Sequence, residues 1–312
     1  VVSTSTDRRT FLAMVPFLLA GCATGGGSDR YREGDNKGQE TSLSFEDEKM
    51  MTRQYLPKMK KEYPPHQNKD VQRFIEKVGN KIVSSNALHQ NPYTYSFTVV
   101  DVKNVNAFAL PAGTVFVTAP LMKMAQSEAE LAGVVGHEIG HIQARHTAER
   151  IHKEKEEKTK SILFGIGGAI LGGAAGYGLS QFLCKKGDKE CVQRISLYAA
   201  AAGAGGGLLI QKFAFMANSR EDEMEADRIG FKTSLKSGYH KDHVGLFYSR
   251  LLEMEKEYQK NKNPILAPLT DAMSTHPPSK ERVKQMNEMA AQAVNTGTTV
   301  DTSDFKRIRG LL

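Results

Sequence analysis

Tryptophan is absent from the 312 residues, and cysteine occurs only three times. The first absence leaves near-ultraviolet absorption to ten tyrosines and bears on spectroscopy rather than function. Two of the cysteines, Cys184 and Cys191, have no further Cys/His cluster beside them, which argues against a cysteine metal site there. Charge of one sign is not blocked. The net charge is +7, but the basic residues are spread along the chain, and no nucleic-acid-binding motif accompanies them. A nucleic-acid partner is therefore not implied, and the slight basic excess supports only weak attraction to anionic surfaces such as phospholipid headgroups. What is present is ordinary globular composition, 40% hydrophobic and 25% charged, unlike that of disordered or fully membrane-embedded chains. The length allows one large domain or two small ones with a sizeable core.

The N-terminus has its own pattern. Arg8 and Arg9 precede an apolar run from Phe11 to Ala20, too short to cross a bilayer as a helix. It ends on Leu19-Ala20-Gly21-Cys22. A charged start, a short apolar stretch and small residues at the end make a secretory signal. The ending resembles a bacterial lipobox, in which Cys22 is lipidated and becomes the first mature residue. Arg8-Arg9-Thr10-Phe11-Leu12 also resembles a twin-arginine export signal, so Sec and twin-arginine export both stay open. Residues 23–44 are rich in Gly, Ser and charge, the composition of a tether. The expected division is a signal at 1–21, a lipidated tether at 22–44 and a folded domain at 45–312. Ala23 stands where inner-membrane lipoproteins carry Asp, which points to the outer membrane. In an oxidising compartment Cys184 and Cys191 can pair and staple the polar turn between them, with two free thiols as the alternative.

Beyond residue 44 the periodicity is mixed. Residues 45–62 and 69–89 read as amphipathic helices, with Val71, Phe74, Ile75, Val78 and Ile82 at helical spacing. Residues 95–100 and 114–118 are β-branched and aromatic, hence strands, and residues 106–113 read as a third strand closing on a Pro/Gly turn. A long helix is expected from Ser127, with Glu130 completing a capping box, to about Lys158. Residues 159–212 form a Gly-rich insert. Its segments 162–183 and 195–210 lack charge and carry Gly168, Gly172 and Gly176 at a spacing that favours close helix packing. A hairpin that covers the site or touches the membrane is favoured over a true span. Further helices are expected from Ser219, over 241–260 and over about 279–294, followed by a polar, partly loose tail. The fold class is α+β, mainly α, with a small antiparallel or mixed sheet.

His137-Glu138-Ile139-Gly140-His141 places two imidazoles one turn apart on a helix, so both can reach one zinc ion. Glu138 then stands where it can take a proton from an activated water. With nine His in the chain, an accidental match is expected at most about 0.03 times. A catalytic zinc takes three protein ligands and keeps one open position. Glu223, just inside a second capped helix, is the best third candidate. Asp227, one turn on, can accept a hydrogen bond from a ligating His. Glu221, Asp222 and Glu225 read as the solvated face of that helix. His66, His89, His146, His152, His240 and His243 have no matching partners and read as surface or structural.

The combination of that motif with Ser219-Arg220, Glu223-x-x-Ala226-Asp227 and Thr275-His276-Pro277 resembles the gluzincin metallopeptidase family of HtpX, BepA, LoiP and the CAAX prenyl proteases, over roughly residues 45–290. The resemblance implies a zincin-like domain with one zinc on His137, His141 and Glu223, and with Glu138 as general base. It implies that Asn106, Ala107, Phe108 and Ala109 form the edge strand on which extended peptide lies, in keeping with the use of sheet edges for peptide binding. It also implies roles for His276, as an extra ligand at rest or an oxyanion contact, and for Arg282, as a stabiliser of transition-state charge. The many spans of the prenyl proteases are missing, which argues against prenylated substrates and favours the periplasmic lipoprotein branch. The expected function is a zinc endopeptidase acting on misfolded or unassembled envelope proteins, lipid-anchored in the periplasm, with an assembly machinery as a further partner. The rival expectation is a periplasmic chaperone or assembly factor with a non-catalytic zinc.

Overall fold

In the computed structural model, residues 33, 34, 36, 39–153, 218–261, 263–294 and 297–312 are described. Cys22, Cys184, Cys191 and the Gly-rich insert 159–212 lie outside them, as do the signal and most of the tether.

Helix α1 (Phe45–Glu62) opens on a reciprocal capping box between Ser44 and Asp47. Helix α2 (Lys69–Ser85), capped by Asn68, buries Val71, Phe74, Ile75, Val78 and Ile82, the stripe its spacing predicts. Strands β1 (Ser96–Val100), β2 (Ala107–Ala109) and β3 (Thr114–Thr118) follow. They form a mixed three-stranded sheet in the order β1-β3-β2. Strand β1 runs parallel to β3, with Ser96 opposite Thr114 and Val100 opposite Thr118. Strand β2 runs antiparallel to it, with Phe108 opposite Phe116 and their rings stacked at 5.1 Å. The central strand is buried along its whole length, which is why it reads Val-Phe-Val without alternation. The edge falls to β2.

Helix α3 (Ala119–Met124) leads into α4 (Glu128–Gln143), which carries the two predicted ligand histidines and is buried on nearly every side. Ser127 caps α4 by accepting from the Glu130 amide. The reciprocal bond expected from Glu130 goes instead to the Gln126 amide, at 3.0 Å. The helix does not run on to residue 158. It stops at Gln143, Arg145 takes a left-handed φ of 53°, and helical structure resumes over 146–153. The break is held by the Arg145 side chain. Its Nε donates to Glu48 Oε1 at 2.9 Å and its Nη2 to the Leu43 carbonyl at 2.6 Å, while the guanidinium lies on the Phe45 ring.

Helix α5 (Arg220–Lys236) opens on the Ser219–Asp222 capping box. The segment expected as one helix over 241–260 is divided at Gly245 into α6 (Lys241–Val244) and α7 (Leu246–Asn261). Helix α8 (Thr270–Thr275) ends at His276, and α9 (Lys280–Gln292) follows the two prolines. The tail is not loose throughout. Helix α10 (Ser303–Arg309) buries Phe305 and Ile308, with Phe305 against Phe74 of α2. No helix among the described residues is long and apolar enough to cross a membrane.

The helices α4 and α5 approach unusually closely, and glycine permits it. A Cβ on Gly140 would stand 2.8 Å from the Ala226 carbonyl oxygen, and one on Gly230 would stand 2.6 Å from the His137 amide. This contact brings the carboxylates of α5 up to the histidines of α4. Upstream of α1, the chain already touches this body from Glu33, which pairs with Lys232. Asn36 and Gln39 donate to the carbonyls of Gln143 and Ala144, filling acceptors that the C-terminus of α4 leaves open.

Candidate metal centre

His137 and His141 project from one face of α4, and their Nε2 atoms are 3.0 Å apart. Glu223, in the first turn of α5, sets Oε2 at 3.3 Å from His137 Nε2 and Oε1 at 3.3 Å from His141 Nε2. His276, at the C-cap of α8, adds Nδ1 at 3.3 Å from His137 Nε2 and 3.1 Å from Glu223 Oε1. All four side chains are buried and offer one ligand atom each to a common centre. Tetrahedral ligation with metal–ligand bonds of about 2.0–2.1 Å separates ligand atoms by roughly 3.3 Å. The observed separations of 3.0–3.3 Å fit such a polyhedron. Three imidazole nitrogens and a carboxylate oxygen this close, away from water, are a donor set that a metal satisfies and that few protons can.

The electrostatics agree. Burial opposes a charge on Glu223, yet Arg282, His276 and His137 outweigh it and hold the carboxyl well below its usual range. Burial and the neighbouring His137 keep His141 unprotonated, its pKa far below the ordinary imidazole value. Burial also opposes a proton on His137, but Glu223 and Asp227 prevail and push its pKa up to about 9. Glu138 is buried beside the cluster with Oε1 3.4 Å from His276 Nε2. Burial raises its pKa against the pull of His276 and His137, which makes the carboxylate a stronger base.

Asp227 stands where the one-turn spacing places it, with Oδ1 2.8 Å from His137 Nδ1. Its carboxylate also receives two hydrogen bonds of 2.7 Å from Arg282 Nε and Nη2. Arg282 Nη1 lies 2.6 Å from Glu223 Oε2. With 1% of its surface exposed, this guanidinium is taken up by the two carboxylates that face the histidines. Asn106 lies just ahead of edge strand β2, where the Thr275 hydroxyl donates to its Oδ1 at 3.4 Å. Its Nδ2 is buried without a hydrogen-bond partner among the described residues. Ala107 and Phe108 are buried, and Ala109 is half-exposed. A small cavity runs between Ala109–Ala112 and His141, so the end of β2 opens beside the cluster.

One expectation is corrected here. Asp222 and Glu225 are buried rather than solvated, and only Glu221 of that trio is exposed. His146 is also buried, in contact with His141. Asn218 has no signal in the sequence beyond preceding the α5 cap. Its Nδ2 donates to Glu223 Oε1 at 2.6 Å and stands 3.4 Å from His141 Nε2. Tyr248 of α7 places its ring under Arg282 and beside His137, a contact that needs three helices brought together.

Paired histidines with an intervening glutamate on one buried helix, completed by a glutamate from a second, define the zincin class of metallopeptidase sites. The chain belongs to peptidase family M48, which it matches over residues 65–290. It is 27% identical over 252 residues to the "Putative beta-barrel assembly-enhancing protease" of Vibrio cholerae, covering 81% of this chain and 46% of that protein. Its counterpart in Escherichia coli K12 is 23% identical, with 81% and 47% covered. The "Mitochondrial metalloendopeptidase OMA1" of Arabidopsis thaliana is 30% identical over 214 residues, with 68% and 35% covered. The chain therefore spans less than half the length of these relatives.

Proposed function

We propose that the protein is a zinc-dependent endopeptidase, with one zinc per chain held by His137, His141 and Glu223. The observation that carries this reading is the convergence of these donors beside a buried Glu138. When bound, zinc supplies Lewis acidity, lowering the pKa of water and polarising the scissile carbonyl. Glu138 accepts a proton from the attacking water at its carboxylate and delivers it to the leaving amine. Asp227 orients His137 through Nδ1, and Arg282 holds Asp227 and Glu223 in place rather than meeting the transition state. Extended peptide adds along β2, with Asn106, Ala107, Phe108 and Ala109 presenting the free edge. His276 closes the donor set at rest, so catalysis needs it to withdraw from Glu223 and His137.

The substrates in this proposal are misfolded or unassembled envelope proteins, with an assembly machinery as partner. The N-terminal signal pattern and the two relatives named for β-barrel assembly support it. The same pattern, with Cys22 as lipidation site, supports a lipid-anchored periplasmic protein at the outer membrane. A Cys184–Cys191 disulfide suits that compartment.

The test is zinc content together with casein cleavage. The unaltered chain is expected to hold one zinc and cleave. Glu138→Gln keeps zinc and loses at least about 100-fold in rate, the usual scale of general-base removal. Glu223→Ala loses zinc. The closed four-donor set also suits a structural zinc in an assembly factor, and His276→Ala separates the two readings. Faster cleavage with zinc retained identifies a resting ligand. Retained zinc with no cleavage by any variant favours the structural role.

A further inference from the structure

His146 and Glu225 take no part in the chemistry above, yet both are fully buried behind His141. The face of His141 turned away from the metal centre presents Nδ1, which lies 2.8 Å from His146 Nδ1. The other nitrogen of His146, Nε2, lies 3.3 Å from Glu225 Oε2 and 3.7 Å from Asp222 Oδ1. We propose that Glu225 and His146 form a positioning relay that fixes the tautomer and ring orientation of His141. The inference rests on the metal site proposed above.

With His146 neutral, the contacts fit one assignment. A carboxylate only accepts, so His146 Nε2 carries the proton shared with Glu225. In a neutral ring the opposite nitrogen is then an acceptor. His146 Nδ1 therefore receives the proton of His141 Nδ1, and His141 Nε2 presents its lone pair to the metal. Asn218 supports this from the other side. Its amide nitrogen, a donor already bonded to Glu223 Oε1, faces His141 Nε2 at 3.4 Å. The site thus holds its two α4 ligands by matched means. Asp227 backs His137 directly, and Glu225 backs His141 through a second imidazole. Carboxylate partners of ligating histidines raise ligand basicity and restrict the ring.

The relay depends on the break in α4. Residues five apart on an unbroken helix point in different directions. The left-handed turn at Arg145 folds His146 back beneath His141, and α5 brings Glu225 to it.

The experiment compares the full chain with His146→Leu and His146→Gln, because glutamine restores an acceptor where leucine does not. Zinc affinity is read by chelator competition, and the tautomer of His141 by 15N NMR of the metal-free protein. Leucine is expected to weaken zinc binding by about 10- to 100-fold, the usual effect of removing such a partner. Glutamine should recover most of the loss, and His141 should be protonated at Nδ1 in the unaltered chain. Equal zinc affinity in the unaltered chain and His146→Leu, or a proton on His141 Nε2, overturns the relay. Absence of zinc binding by the unaltered chain would instead refute the metal reading. The tautomer still decides the relay in that case, and also if a variant fails to fold.

Discussion

At the residue scale, Arg282 binds the site together. Among the described residues it heads the largest fully buried side chains, and it joins Asp227 behind His137 to Glu223 facing both helical histidines. Removing it leaves two carboxylates buried without their cation. Losing one partner of such a buried pair costs about 3–5 kcal/mol. Arg282→Met is therefore expected to destabilise the metal-free protein by about that amount in urea unfolding. Added zinc should restore part of the loss, since a divalent cation offsets the same charges. A denaturation midpoint unchanged from the unaltered chain would show that the two carboxylates do not rely on Arg282. His276 illustrates a different limit. Its motif suggests participation, but only the folded chain shows Nδ1 facing the ligands and Nε2 facing Glu138.

At the scale of elements, the close packing of α4 on α5 decides whether there is a site at all. Glu223 and Asp227 reach the histidines of α4, and Glu225 reaches His146 just beyond it, because Gly140 and Gly230 let the two backbones nearly touch. A methyl group at Gly140 meets the Ala226 carbonyl and Cα, at 2.8 and 3.0 Å, and neither is a side-chain tip that can swing aside. Gly140→Ala should destabilise by about 1–3 kcal/mol, the range for overpacking. It should also weaken zinc binding, as α5 is pushed outward. Thermal unfolding and chelator competition together check this, and wild-type zinc affinity in the variant would refute the coupling. Strand β2 shows a second dependence. Its Phe108–Phe116 stack anchors it to β3, while its other side is a sheet edge among the described residues, which is where an added strand can pair.

For the whole molecule, the missing tryptophan becomes an experimental advantage, because tyrosine ionisation can be followed without indole absorbance. Burial pushes Tyr95 up to about 12. Burial also raises Tyr93 and Tyr239, each helped by a carboxylate, Glu48 and Glu128 respectively, and it raises Tyr248 well above its ordinary value. In the unfolded chain tyrosine ionises near about 10. A raised folded pKa means the neutral form is favoured by folding, so this contribution is complete below about 10 and is lost as pH climbs toward about 12. Alkaline titration should show these four tyrosines ionising together with loss of helical circular dichroism. Gradual ionisation of all ten tyrosines with the helices intact would contradict the burial pattern.

The sequence by itself determined the features that depend on neighbours along the chain. The one-turn spacing of His137 and His141, and of Glu223 and Asp227, follows from helical geometry. The Ser219–Asp222 cap and the apolar stripe of α2 are likewise local. Tertiary structure decided the rest, because it depends on which distant segments meet. Periodicity carried α4 past Gln143, since the break is held by Glu48 and Leu43, about a hundred positions away. Glu225 looked solvated because charge alone suggests water, and only the turn beyond α4 supplies the buried imidazole that receives it. His146 looked idle for the same reason. Its role requires a left-handed turn on one side and a carboxylate from another helix on the other, and neither appears in the local spacing.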